Sequence, residues 1–161
     1  MTVVSINKQA RLSEHFTLAE MCKTSAKTQD GNIPSHVHIE NLKRLCGWLE
    51  MLRSEWNKRY GEGDDPIVIN SGYRSEAVNK AVGGVKGSNH LTGCAADIRV
   101  AGIEQLVRYA TILLDISDES QEDFDELLLE RSPRGGYWLH FAVRPPSQEN
   151  RRKVSLIQSL R

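Results

Sequence analysis

From His36 to Tyr60, apolar residues recur every three or four positions, at Ile39, Leu42, Leu45, Leu49, Leu52 and Trp56. That period lays one apolar stripe along a single long helix. Such a helix takes most of its stability from whatever its stripe is packed against. The rest of the chain must therefore furnish an apolar face, and its short β-branched and alternating runs predict that this face is a sheet.

The segment GEGDDP breaks the long helix, and the β-branched run IVIN (67–70) predicts a buried strand leading into Ser71 and Gly72. Upstream, Thr17 and Glu20 have capping-box spacing, so a short helix begins within FTLAEM. The polar stretch TSAKTQDGNIP reads as a loop ending near Pro34. Downstream, Ser75 caps a short helix reaching Val82, GGVKGSN is a glycine-rich loop, and CAADIRV is a second strand. Ile103, Leu106, Val107, Ala110 and Leu114 mark another amphipathic helix, and DISDESQED after it reads as a solvated acidic loop. FDELLLE and GYWLHFAV predict two strands joined by the turn-forming SPRGG, the second ended by Pro145 and Pro146. The residues beyond, with Arg151, Arg152 and Lys153, read as an exposed basic end. Helices first, then strands interleaved with helices, predict one α+β domain over residues 1–161. Its N-terminal helices pack on a small, mostly antiparallel sheet, with a core at about 12–151 and a basic tail at 147–161.

Charge narrows the partners. The 21 basic and 21 acidic side chains cancel, so no global field draws the chain to nucleic acid or an anionic membrane. No stretch approaches the roughly 20 apolar residues of a membrane span. The opening MTVVSINKQARLSEHF lacks the apolar run and cleavage site of a secretory leader, which predicts synthesis in the cytoplasm. A monomer is expected. Cys22, Cys46 and Cys94, odd in number and irregularly spaced, read as reduced thiols in a core.

The chemistry-bearing types gather late in the chain. His90 and Asp97 stand at the two ends of HLTGCAAD, where a glycine-containing turn can bring an imidazole and a carboxylate together at the start of a strand. Both are good zinc ligands, and catalytic zinc usually takes three protein ligands plus an open position. Taken alone, the pair is a weak signal and reads as simple local hydrogen bonding. His140 lies in an alternating strand with Trp138 and Ala142 on its face, which by itself fits a core histidine.

The spaced block SGYRSEAVNKAVGGVKGSNHLTGCAADI (71–98), followed by Trp138 and His140, resembles the signature of the zinc D,D-peptidase family. The likeness is to the branch containing the D-Ala-D-Ala carboxypeptidase catalytic domain, with phage endolysin peptidases among its relatives. The matching positions are Ser71 to Ser75, Asn79, Gly83, Gly84, Ser88, His90, Gly93, Ala95, Asp97, Trp138 and His140. HFTLAEM and the helix around NLKRL share the likeness, which covers roughly residues 12–151.

This resemblance implies one zinc ion held by His90, Asp97 and His140, and hydrolysis of peptide bonds in peptidoglycan stem peptides or cross-links. It gives Arg74 a substrate-facing role, suited to a terminal carboxylate or to a carbonyl oxygen becoming anionic. Ser88 either bonds substrate or shapes its loop, and Trp138 is a further candidate substrate contact. Many family members carry an acid three residues before the last histidine, where this chain has Tyr137. Other relatives carry a glutamate in a segment like FDELLLE, which points to Glu130 as general base, with Asp125 and Glu126 as rivals. Loss of the base would leave an impaired module that binds wall peptides or serves a structural role. The expected place of action is the cell wall, with phage lysis as one setting. Cys94 reads as a packed thiol, and His15, His36 and His38 as surface or capping residues.

Overall fold

A computed structural model describes residues 6–160; the first five residues of the segment read for a leader lie outside it. The elements in chain order are α1 (Leu18–Met21), α2 (His36–Arg59), β1 (Ile69–Ser71), α3 (Glu76–Ala81), a 3-10 turn (Asn89–Thr92), β2 (Ala95–Arg99), α4 (Ile103–Ser120), β3 (Glu126–Arg131), β4 (Tyr137–Ala142) and β5 (Lys153–Gln158). The strands form one sheet in the order β1-β2-β4-β3-β5, antiparallel except for the parallel β3–β5 edge. Among the described residues no helix is long and apolar enough to cross a membrane.

Local signals set the ends of the helices. Thr17 and Glu20 close the capping box of α1, and the Ser35 hydroxyl accepts from the His38 amide to start α2. The Ser75 hydroxyl does the same for α3 through the Val78 amide. The predicted stripe of α2 is its core face: Leu42, Leu45, Leu49, Leu52 and Trp56 are buried. They pack with α4 against Ala96, Ile98, Leu127, Leu139 and Phe141 on one side of the sheet. Each fully buried leucine there contributes about 1.5–3 kcal/mol.

Three expectations are corrected. DISDESQED is mostly not a loop: α4 runs through Ser120, because Ile116 and Ser117 continue its buried face while the acids stay outside. The face of α4 that packs inward is Leu106, Tyr109, Ala110, Ile112, Leu113 and Ile116, whereas Ile103 and Val107 are exposed. The segment expected to be an exposed basic end contains β5, which pairs with all of β3 from Glu126↔Lys153 to Arg131↔Gln158. Its backbone is recruited by the open edge of β3, although Val154 and Leu156 remain exposed. All three cysteines are free and buried, as expected.

Gly93 sits where fold and site meet. It adopts φ +74° after the 3-10 turn, and a Cβ there would lie 2.6 Å from the His38 carbonyl oxygen of α2. Gly93→Ala therefore meets both left-handed strain and a backbone clash. It should lower stability by about 1–3 kcal/mol, measured by denaturant unfolding of the zinc-free protein. Wild-type stability in that variant would refute the close packing of this turn on α2.

Candidate metal centre

The sheet face opposite the core carries the polar residues. Residues paired across neighbouring strands share a face, and side chains alternate along each strand. Asp97↔His140 and Leu128↔His140 are direct partners, as are Glu130↔Trp138 and Glu126↔Ala142. Asp97, His140, Trp138, Glu126 and Glu130 thus point to one side. Tyr137 belongs to the other side with Leu139 and Phe141, partly buried against the core. A residue three before His140 in this regular strand faces away from it, so an acid at that position would not reach the histidine's side of the sheet.

His90 arrives from the 3-10 turn. The Ser88 hydroxyl accepts from the His90 amide at 3.2 Å, and the His90 carbonyl accepts from the Arg74 amide at 3.0 Å. Its Nδ1–H donates to the Gly72 carbonyl at 2.6 Å, which leaves Nε2 as the lone-pair nitrogen. That Nε2 lies 3.3 Å from Asp97 Oδ1, and His140 Nδ1 lies 3.0 Å from the same oxygen. One ligand atom from each of the three residues falls within 4.8 Å of the others, and all three residues are buried.

The electrostatics suit a cation. Burial keeps His90 neutral by lowering its pKa. Burial opposes the charge of Asp97, but His90 and His140 outweigh it and hold the carboxyl well below its usual range. Burial likewise opposes charge on His140, yet hydrogen bonds to Asp97 and Glu126 outweigh it and push that imidazole up to about 9. Two carboxylates facing one imidazole create a demand for positive charge. Two imidazoles and a carboxylate converging at separations suited to neighbouring ligands of one ion are a fitting donor set for zinc.

Around this cluster lies a cavity of about 480 Å³, whose lining includes Arg74, Ser88, His90, Glu126, Glu130 and His140, with Arg144, Arg151 and Lys153 on a further wall. A larger groove of about 610 Å³ beside Glu14, His15, Glu50 and Arg53 holds none of the triad. Arg74 is buried: Nη2 donates to Asp97 Oδ2 at 2.9 Å and Nε to Ser71 Oγ at 2.9 Å. The residue expected to face substrate thus also grips the second oxygen of Asp97. Glu130 is 8% exposed, and its Oε2 accepts from the Trp138 indole N–H at 2.9 Å. Trp138 is half-buried beside it.

The two rivals of Glu130 are hydrogen-bonded as well. Glu126 Oε1 lies 3.3 Å from His140 Nε2 and accepts from Asn89 Nδ2 at 2.7 Å. Asp125 is fully buried and takes Arg151 through both oxygens, at 2.9 and 2.7 Å, with Arg144 at 3.0 Å and Asn89 at 2.8 Å. Asn89, next to His90, carried no sequence signal beyond its place in the matching block. Cys94 packs as a buried thiol, its pKa raised by burial. His38 serves the Ser35 cap and stacks on Tyr73, while His15 bonds Glu50.

Residues 14–116 match the family described as Peptidase M15. The match takes in His90 and Asp97, and stops short of His140. The chain is also similar to the zinc D-Ala-D-Ala carboxypeptidase of Streptomyces albus G, 31% identical over 84 residues. That alignment covers 52% of this chain and 31% of the relative, so the chain matches about a third of the relative's length.

Asp125 gives a pH test of this wall. Burial opposes its charge, but Arg151 and Asn89 outweigh that and hold the carboxyl down at about 2. An unfolded aspartate titrates near 3.9, so this stabilisation is complete above about pH 4 and is lost as pH falls through about 2. Asp125→Asn should cost on the order of 3 kcal/mol at neutral pH and flatten the acid limb of stability between about pH 4 and 2. Equal acid limbs in wild type and variant would refute the arginine clamp.

Proposed function

The chain belongs to the peptidase M15 family, and on that premise we propose that it is a zinc metallopeptidase that hydrolyses peptide bonds of peptidoglycan stem peptides or cross-links. The observation that carries this reading is the convergence of His90 Nε2, Asp97 Oδ1 and His140 Nδ1 beside a cavity that also presents a carboxylate on the same sheet face. The relative's activity on a D-Ala-D-Ala peptide supports the choice of substrate class.

His90, Asp97 and His140 hold the metal, and their neighbours fix how they do so. The Gly72 carbonyl fixes the His90 tautomer, and Arg74 takes Asp97 Oδ2 so that Oδ1 is turned to the histidines. A zinc ion so held supplies a Lewis acid and lowers the pKa of a water it binds to about 7. Glu130 acts as general base: it takes the proton of the attacking water and returns it to the leaving amine. Trp138 orients it through the 2.9 Å bond to Oε2. Arg74, on the cavity wall, offers its guanidinium edge to the substrate's carbonyl oxygen or terminal carboxylate. Ser88 lines the same cavity as a second polar contact for the peptide. Tyr137 packs toward the core, so the base is proposed on the opposite face, where Glu130 stands.

The purified protein should carry close to one zinc, and His90→Ala and His140→Ala should lose both metal and turnover. Mass spectrometry of muropeptides after incubation, with and without chelator, identifies the bond cut; full activity without metal would end the reading. Glu130→Gln keeps shape and hydrogen bonding and removes the proton acceptor. It should retain zinc and lose on the order of 10²–10⁴ in kcat, and a wild-type rate would transfer the base role elsewhere.

A further inference from the structure

Glu126 shares the cavity with Glu130 and touches a proposed ligand, yet the reading above assigns it no role. Its Oε1 stands 3.3 Å from His140 Nε2, while His140 Nδ1 is the nitrogen that faces Asp97. An imidazole that gives Nδ1 to a metal must keep its proton on Nε2, and Nε2–H then needs an acceptor. Glu126 is placed to be that acceptor.

The carboxylate is itself held. Asn89 donates one amide hydrogen to Glu126 Oε1 at 2.7 Å and the other to Asp125 Oδ2 at 2.8 Å. Arg151 Nη2 stands 3.6 Å from Glu126 Oε2 while gripping Asp125 at 2.7 Å. Asn89 precedes His90 in the chain, so one amide ties the turn carrying the first ligand to the carboxylate behind the third. Glu126 reaches His140 because Leu128 is His140's direct partner on β3, and Glu126 lies two residues from Leu128 on the same face.

Resting on the zinc reading, we infer that Glu126 is a positioning residue for the metal: it fixes the ring and tautomer of His140, with Asn89 and Arg151 holding it in place. Carboxylates behind ligating histidines typically contribute a factor of 10–100 in metal affinity. The role differs from that of Glu130, whose proposed contact is with the reacting water.

The test is zinc affinity of the full chain, measured by competition with a chromophoric chelator and independent of turnover. Glu126→Ala should weaken zinc binding by about 10–100-fold. Glu126→Gln keeps an acceptor oxygen without the charge and should weaken it by a smaller factor; this variant decides the matter if Glu126→Ala does not fold. With zinc saturating, kcat of the variants should fall far less than that of Glu130→Gln. Wild-type zinc affinity in the folded variants would overturn the inference. So would a kcat loss equal to that of Glu130→Gln at full zinc occupancy, because Glu126 would then act in the reaction itself. If the wild-type chain binds no zinc in the same assay, the metallopeptidase reading fails, an outcome distinct from either.

Discussion

Asp97 and His140 stand directly opposite each other on neighbouring antiparallel strands, and the rest of the site depends on that register. Side chains alternate along a strand, so a slip of one residue between β2 and β4 would oppose His140 to Ala96 or Ile98 and turn Asp97 toward the core. The register is guarded from the far side of the sheet. Ala96, Ile98, Leu139 and Phe141 are fully buried against α2 and α4, and a one-residue slip cannot keep all four there. A helix stripe with no chemistry of its own thus aligns two of the three candidate ligands.

The third, His90, is placed by local structure instead. Ser88, the left-handed Gly93 packed on α2 and the His90 bond to the Gly72 carbonyl hold the 3-10 turn in place. These were the most legible parts of the chain, because caps, glycine turns and alternation act over a few residues. Thr17 with Glu20, Ser75 before α3, and YWLHFAV with His140 and Trp138 on one face could each be read directly. Arg74 with Asp97 and Asn89 with Glu126 could not. Their separations of 23 and 37 residues become contacts only through the strand order and the β3–β4 register.

Where the sequence misled, a tertiary contact outweighed a local signal. KVSLIQ follows a basic, polar stretch, and it becomes a strand because β3 offers an unpaired edge. The acids of DISDESQED suggested a solvated loop, but charges on the outer face of a helix are equally solvated, and Ile116 and Ser117 keep α4 wound. Val107 fitted the helical period and is exposed; Tyr109 and Ile112 lie inside, since the sheet decides which face of α4 is covered.

Buried charge explains why the outer edge of the sheet belongs to the site. Asp97 and Asp125 are both buried carboxylates, and each would be costly without a partner in the low-dielectric interior. Asp97 is met by Arg74 from the β1–α3 connection, and Asp125 by Arg144 and Arg151 from the β4–β5 connection. The same Arg151 approaches Glu126, which touches His140. The connection entering β5 therefore neutralises an acid at the foot of β3 and, through the neighbouring glutamate, bears on a candidate ligand of β4. The family match ends at residue 116, before any of these arginines except Arg74. The family-matching block and the C-terminal segment are joined in one electrostatic unit through Asn89, and removal of the chain from Arg151 onward would leave buried Asp125 with Arg144 as its remaining arginine, beside the cavity on which the proposed chemistry depends.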